Sequence, residues 1–159
     1  MRLAALALLV LSLTVAAGAA SRAAGSSTTR PCTSAVDTGV LPQWARGGFS
    51  EPRPRIAHVL GRSGRIVAIL FARPLHSPSI PGRNNKILWV AREATGTALR
   101  IVARRMKGVR PIGTAVTRRV AGGPGPSIID MPTAGCWRFK LAWSGRTDSL
   151  DLVYARPGS

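Results

Sequence analysis

The sequence predicts an all-β fold, an immunoglobulin-like antiparallel β-sandwich with one disulfide, preceded by a signal peptide. Three observations support this prediction. From residue 56 onward, short apolar or alternating runs are separated by clusters of turn residues. Apart from the leader, no segment of ten or more residues shows helical periodicity. The two cysteines, Cys32 and Cys136, both follow the leader, as in a disulfide-bonded exported domain. A small β-barrel is the alternative that the same strand pattern allows.

The N-terminal leader has the three parts of a secretory signal. Arg2 supplies a positive charge, residues 3–15 carry no charge, and a run of small residues follows. Small side chains near the end of this run place the cleavage site after Ala19 or Ala20. An uncleaved N-terminal anchor is the alternative, although a membrane span needs about 20 predominantly apolar residues and this stretch is marginal. The protein is therefore expected to be secreted, that is, extracytoplasmic.

Three parts of the chain follow from this prediction: a signal peptide at 1–20, a flexible tether at 21–31 and a β-sandwich domain at 32–159. The tether is rich in serine, threonine, alanine and glycine, a composition typical of flexible linkers. Within the domain, residues 37–55 contain three prolines and three glycines and predict an irregular arm.

The two cysteines allow a single intramolecular pairing, Cys32 with Cys136. Oxidising compartments preserve such bonds, and closing a loop of this length stabilises a domain by roughly 4 to 5 kcal/mol in the chain-entropy model. Two free buried thiols are the alternative. A zinc site is disfavoured because two cysteines and two distant histidines lack ligand spacing.

The first predicted strands are apolar or alternate between the two faces of a sheet. Residues 65–72 are continuously apolar after the first position and rich in β-branched side chains, which indicates a strand buried on both faces. Residues 86–92 form the next strand. In 99–106, odd-numbered apolar positions alternate with Arg100, Val102 and Arg104. A turn at 108–113 and a weaker strand at 114–120 follow.

The C-terminal part predicts a β-hairpin with large aromatic side chains on one face. In the first strand, large apolar side chains alternate with more polar residues: Trp137, Phe139, Leu141 and Trp143. After a tight turn at 144–146, the second strand has the matching alternation at Leu150, Leu152 and Tyr154. The same alternation places Cys136 on the opposite face from Trp137. We therefore expect the disulfide to attach the N-terminal arm to the sandwich rather than bridge the two sheets.

The segment from Pro126 to Trp137, which ends in Gly135-Cys136-Trp137, resembles a family of small exported bacterial proteins of unknown function. Those proteins carry a proline, a glycine and then Cys-Trp at the start of a late strand. The basic run at 99–106 is also similar to one of their strands, and the resemblance covers residues 86–155. It implies an exported β-sandwich with a disulfide, and it implies no catalytic residues.

Positive charge dominates the composition. The chain of 159 residues has a formal net charge of +17, and its basic residues are mostly arginine. Such a field attracts polyanions. Part of this charge forms a basic cluster on two predicted strands. If these strands are neighbours, part of the cluster gathers on one face, where arginine side chains can bind a polyanion; a solvated sheet face of an arginine-rich composition is the interpretation that we prefer. The basic cluster consists of Arg100, Arg104, Arg105, Lys107, Arg110, Arg118 and Arg119.

Catalytic and metal-binding residues are not expected. Six acidic residues and two histidines, His58 and His76, show no convergent spacing, and no nucleophile elbow, phosphate-binding glycine loop or zinc-protease motif occurs. Asp148 and Asp151 lie on one strand with odd spacing, so they are expected on opposite faces as surface charges. No enzyme activity, metal or cofactor is therefore predicted.

Two functions remain as hypotheses. The first is an extracytoplasmic interaction or structural module that binds an unknown envelope or extracellular component. The second is a cationic protein that binds anionic lipid, wall polymer or nucleic acid at a membrane surface or in the cell wall. Specific nucleic-acid recognition is not expected, because the tryptophans fall mostly in core-like alternations and stacking on bases needs exposed aromatic rings.

Overall fold

The computed structural model describes residues 35–93 and 96–158. The predicted signal peptide, its cleavage positions Ala19 and Ala20, the tether and Cys32 lie outside this part of the chain. Over the described residues, the structure has no helix long and apolar enough to cross a membrane.

The described residues form nine β-strands and one turn of 3-10 helix at Gln43–Ala45. The strands are β1 (His58–Leu60), β2 (Ile66–Leu70), β3 (Leu75–His76), β4 (Lys86–Ala91), β5 (Leu99–Lys107), β6 (Arg110–Val120), β7 (Pro126–Ile128), β8 (Gly135–Trp143) and β9 (Arg146–Ala155). Three of them, β1, β3 and β7, are only two or three residues long and were not predicted as separate strands.

The strands form two sheets, which confirms the predicted all-β sandwich architecture. One is a four-stranded sheet in the order β1-β2-β4-β7, and the other is a five-stranded sheet in the order β3-β9-β8-β5-β6. All pairings are antiparallel except that of the short strand β3 with β9, which is parallel.

The main hydrophobic core lies between the two sheets. Every second side chain of the long strands faces it, so the alternations predicted for β5, β8 and β9 are confirmed. Trp89 of β4 contacts Phe139 of β8 with ring centroids 6.2 Å apart. The largest side chains of this core that are almost completely buried are Trp89, Tyr154, Phe139, Ile66, Ile87, Leu99, Ile101, Leu141, Leu150 and Leu152.

A second, smaller core lies on the outer side of the four-stranded sheet. The irregular arm crosses this face and packs Leu41 and Ala45 against Val67 and Ile69 of β2. All five residues of β2 are therefore buried, which explains why its sequence is apolar without alternation. The prediction of a strand buried on both faces is confirmed.

The β5–β6 hairpin differs from its prediction. The turn expected at 108–113 is wrong, because β6 begins at Arg110 directly after a two-residue turn at Gly108 and Val109. Gly113 lies within the strand with φ of +66°, beside a register shift between Ala103 and Arg105. Glycine adopts this φ without strain, so it marks a bulge here rather than the hairpin turn.

The β8–β9 hairpin agrees with its prediction. Its two turn residues, Ser144 and Gly145, have φ of 45° and 72°. Two consecutive positive φ angles define the turn whose twist matches that of the flanking strands. The turn therefore fixes the register that opposes Phe139 to Leu150 and Trp137 to Leu152.

Candidate binding face

Within residues 35–93 and 96–158, no segment packs across the outer face of the five-stranded sheet, which is turned away from the main core. We call it the open face and define it by the side chains of β6, β5, β8 and β9 that alternate with the core residues. Following the register across these strands, the rows of the open face are Arg119, Arg100, Ala142 and Thr147; Thr117, Val102, Lys140 and Ser149; and Arg104, Arg138 and Asp151.

The predicted basic cluster is divided between the two faces of this sheet. Arg100, Arg104 and Arg119 lie on the open face, as the polyanion hypothesis requires. The other four residues of the cluster do not lie on this face. By the alternation of side chains they belong to the core side of β5 and β6: Arg105, Lys107, Arg110 and Arg118.

Arg118, on the core side of β6, makes structural contacts at the edge of the sandwich. Its guanidinium donates hydrogen bonds to the carbonyl oxygens of Asp130 and Thr117, at 3.1 Å each. Asp130 follows β7 of the opposite sheet, so Arg118 connects the two sheets at the edge of the sandwich. Arg105 packs beside Gly135 at the other end of β5. These arginines have structural contacts and do not add to the open face.

Four basic side chains of the open face make no ion pair with any described residue: Arg100, Arg104, Arg119 and Lys140. All four are exposed to solvent, and Arg104 donates a long hydrogen bond of 3.5 Å to the Gly113 carbonyl oxygen. Lys140 was not included in the predicted basic cluster, although its alternation with Phe139 and Leu141 already placed it on this face. Its proximity to Val102 depends on the pairing of β5 with β8, which local sequence does not show.

Asp151 is the acidic residue of the open face, and two arginines neutralise it. Arg138 binds its carboxylate through two hydrogen bonds of 2.9 and 3.1 Å, and Arg62 adds a third of 2.9 Å. The bond to Asp151 raises the pKa of Arg138, against the effect of burial. Asp151 is 8% exposed, so its expected role as a surface charge is wrong. A carboxylate can accept several charge-assisted hydrogen bonds, so Asp151 binds both arginines and is covered by them.

Asp148 was also expected on the surface and is likewise buried, at 8% exposure. Its carboxylate accepts hydrogen bonds from the backbone N–H groups of Ser63, Arg65 and Ser149, at 3.0, 3.0 and 2.7 Å. Burial raises its pKa, but these bonds favour the carboxylate and outweigh it, so the net pKa lies below its ordinary value. Asp148 thereby holds the 61–65 turn, which connects β1 to β2, against the edge of β9.

Gly61 allows this close approach of the turn to β9. A Cβ atom at this position would collide with the Asp148 carboxylate. The Arg62 N–H also donates to the Ser149 carbonyl oxygen at 2.8 Å. The turn therefore forms a wall beside the open face, and Arg62 reaches from it to Asp151.

Between this wall and the open face lies a groove of about 560 Å³. Arg100 and Lys140 line it as cations, and Val102 and Ala142 line it as small apolar side chains. The hydroxyl-bearing residues Ser63, Thr147 and Ser149 line it on the side of β9 and the turn. We call this site the basic groove.

A second basic cavity of about 420 Å³ lies on the other side of the same turn. Arg65, Arg92 and Arg146 line it with Glu93, and Glu93 forms an ion pair with Arg146. Arg92 is engaged as well, since it donates to the Gly64 carbonyl oxygen at 2.9 Å and lies 5.1 Å from the centre of the Trp44 ring. These contacts account structurally for Arg92, Glu93 and Arg146, which leaves Arg65 as the exposed cation of this cavity.

The two histidines are buried, and their contacts among the described residues are as follows. His58 is buried and its Nδ1 lies 2.8 Å from the Ile56 carbonyl oxygen, while its Nε2 lies 3.9 Å from the exposed carboxylate of Asp37. His76 is buried where its backbone pairs with the side chain of Asn85. Within 35–93 and 96–158, no group of three or more His, Cys, Asp or Glu residues could hold a metal ion.

The buried aromatic side chains have hydrogen-bond partners for their polar atoms. Trp89 donates to the Ser127 hydroxyl, Trp137 to the Thr133 carbonyl and Trp143 to the Glu93 carbonyl, at 2.9 to 3.0 Å. Tyr154 donates to the Ile129 carbonyl oxygen at 2.7 Å, and burial raises its pKa. These rings belong to the core, and they leave none of their faces as a stacking surface on the open face.

No protein-family model, curated protein or solved structure matches this chain.

Proposed function

We propose that this protein is an exported interaction module, an immunoglobulin-like β-sandwich tied by the Cys32–Cys136 disulfide, that binds another component of the cell envelope through its open face. One observation carries the proposal. The arm buries the outer side of the four-stranded sheet, whereas the side chains of the open face are available across three adjacent strands. An accessible surface on rigid strands suits a protein that binds a partner without catalysing a reaction.

The strand topology supports the immunoglobulin-like assignment. The adjacent antiparallel strands β5, β8 and β9 correspond in order to strands C, F and G of that fold, and β4 pairs with β7 as strand B pairs with E. The segment from β2 to β3 leaves the four-stranded sheet and joins the five-stranded one beside β9. The tryptophan and cysteine positions of antibody domains are not reproduced.

The surroundings of Cys136 support the disulfide. Cys136 lies on the open-face side of β8, opposite Val153 in the register, and it is not a free thiol. Val36 and Val153 line the same small cavity of about 170 Å³. Cys32 precedes Val36 by four residues, a distance that an extended chain spans with up to about 14 Å. The arm therefore begins within reach of Cys136.

The export proposal is tested on protein recovered from its native host. We expect a mass that lacks about 20 residues, and alkylation of two thiols only after reduction. An intact leader on cytoplasmic protein with reduced thiols would contradict export.

The binding proposal is tested by blocking the open face without changing its charge. Thr117→Trp adds a large side chain at an exposed position of β6, and Gln43→Trp makes a similar neutral change on the 3-10 helix that covers the outer side of the four-stranded sheet. We expect Thr117→Trp to reduce attachment to isolated native envelopes about fivefold, a loss of about 1 kcal/mol. Equal attachment of both variants would show that the open face is not the binding surface.

An anionic partner is the second candidate, favoured by the unpaired charges of Arg100, Arg119 and Lys140 on this face. Attachment driven by charge weakens as salt rises, because the screening length falls from about 10 Å at 0.1 M to about 3 Å at 1 M. We expect envelope attachment to fall steeply over this range. Attachment that does not respond to salt would exclude the anionic partner and leave a neutral one.

A further inference from the structure

We infer that the basic groove binds a strand of an acidic polysaccharide, with its anionic groups at Arg100 and Lys140 and its sugar rings over Val102 and Ala142. The inference rests on the proposed function, since it names the partner that the open face would bind. The argument starts from how β5 and β8 present these four side chains.

The four residues form a square on two paired strands. Arg100 lies opposite Ala142, and Val102 lies opposite Lys140. The cations therefore occupy one diagonal and the small apolar residues the other. Diagonal neighbours on a sheet are about 7 to 8 Å apart, so two anionic groups bind at separate points with an apolar surface between them.

This pattern matches the chemistry of a charged sugar. A pyranose ring has apolar C–H faces, hydroxyl groups around its edge and, in a uronic acid, one carboxylate. The groove offers a small apolar floor, hydroxyls on Thr147 and Ser149, and cations for the carboxylates. Arginine binds carboxylates through paired hydrogen bonds, and lysine binds them as a point charge.

The acidic residues near the groove repel an anionic ligand little and do not compete with it for Arg100 and Lys140. Asp151, the acidic residue of the open face, is already neutralised by Arg138 and Arg62, so the charges of Arg100 and Lys140 stay available. Asp148 also lines the groove, but three backbone N–H groups hold its carboxylate within the 61–65 turn. A negatively charged ligand therefore meets cations and hydroxyls.

Other polyanions fit this groove less well. Nucleic acid bound as a single strand needs aromatic rings for its bases, and no aromatic side chain lines the groove. A membrane surface is contacted best by exposed apolar side chains, and none of the large ones, which are Leu60, Phe71, Val109, Ile128 and Val153, lines the groove. A membrane is also flat, whereas the 61–65 turn rises beside the cations.

The test compares two double variants that lose the same charge. Arg100→Gln with Lys140→Gln removes the groove cations, and Arg53→Gln with Arg55→Gln removes two exposed cations from the arm on the opposite side. With polygalacturonate oligomers as the probe, we expect the groove variant to lose affinity about tenfold and the arm variant less than about twofold. Equal losses would overturn the inference and indicate attraction by net charge only.

A neutral substitution separates the groove from its charge. Ala142→Trp fills the apolar floor, and the exposed Thr147→Trp serves the same purpose if the first variant fails to fold. We expect either to weaken polygalacturonate binding about fivefold while inorganic polyphosphate, which has no sugar ring to place on the floor, changes less than about twofold. Unchanged polygalacturonate affinity would overturn the inference.

Two further probes complete the test. They are applied to the wild-type protein as it is isolated, without its leader and without reduction of its cysteines. Anionic phosphatidylglycerol vesicles and single-stranded RNA are expected to bind more weakly than polygalacturonate at equal charge concentration, and tighter binding of either would overturn the inference. If the groove variants behave as wild type while Thr117→Trp still blocks envelope attachment, the groove assignment fails and the binding face stands. If Thr117→Trp also has no effect, the proposed function itself fails.

Discussion

The two sheets of this protein have similar inner faces and opposite outer faces. On the four-stranded sheet the outer positions Val67 and Ile69 are completely buried, because the arm covers them with Leu41 and Ala45. On the five-stranded sheet, Val102 is only half-buried and its neighbours are arginine, lysine and threonine. The comparison shows that a segment without regular secondary structure determines which sheet is structural and which is available for binding.

Acidic residues follow the same division. Asp148 and Asp151 both lie on β9, where the five-stranded sheet meets the turn from the other sheet, and both are used to join the two. Their use in these contacts removes negative charge from the surface of the open face. The positive potential there thus comes from the placement of a few acids as much as from the number of arginines.

The largest expected effect tests the comparison directly, by the same kind of truncation on both outer faces. Ile69→Ala removes buried methyl groups beneath the arm and should lower the free energy of unfolding by about 3 kcal/mol. Val102→Ala on the open face should lower it by less than about 1 kcal/mol. Urea unfolding followed by tryptophan fluorescence measures both. Equal costs would mean that the arm does not bury the four-stranded sheet in solution.

A smaller effect is expected at the contact between the sheets. Asp148→Ala removes the acceptor of three backbone hydrogen bonds and should cost about 2 kcal/mol near pH 7. Since the pKa of Asp148 is lowered by folding, its stabilisation is present above the ordinary value of 3.8 and is lost as pH falls below it. Urea unfolding of both proteins should therefore show a difference that shrinks toward about pH 2. A difference that is constant with pH would contradict the role of the carboxylate charge.

The smallest effect on stability is expected at Asp151. Asp151→Asn leaves Arg138 and Arg62 without a charged partner, at a cost of about 1 kcal/mol, and adds positive charge to the open face. Binding of polygalacturonate should strengthen about twofold by titration at low salt, whereas Glu51→Gln, the same charge change on the exposed arm, should leave it unchanged. Equal strengthening by both would show that the arm and the open face attract polyanions alike.

Much of the architecture was predictable because it depends on local periodicity. The alternation in β8 and β9 identified their core-facing side chains, and the uninterrupted apolar run of β2 identified a strand that is buried on both faces. The short strands β1, β3 and β7 were missed because two or three residues carry no period, and the pairing partners of β3 and β7 lie far along the chain. The sequence predicts a turn that ends at Gly113 because glycine favours a bulge and a turn alike, since both use positive φ.

The candidate site was predictable only in part, for a related reason. Arg100, Arg104 and Arg119 could be found from their charge, but the basic cluster included four residues of the other face, since charge runs ignore the alternation of side chains. Lys140 was visible in the alternation of β8 but not as a neighbour of Val102. The wall of the groove comes from the turn at 61–65, which is about 80 residues distant from β9 along the chain.

By itself, the sequence determined the fold class, the core faces of the long strands and the excess of positive charge, because periodicity, turn residues and composition act within a few residues. The tertiary structure decided where that charge is available. The pairing of β5 with β8 places Arg100 and Lys140 next to each other on the open face. The 61–65 turn binds Asp148 and forms the wall that makes this part of the face a groove. Such contacts depend on strand order and register, which are set when distant segments bury their apolar sides together.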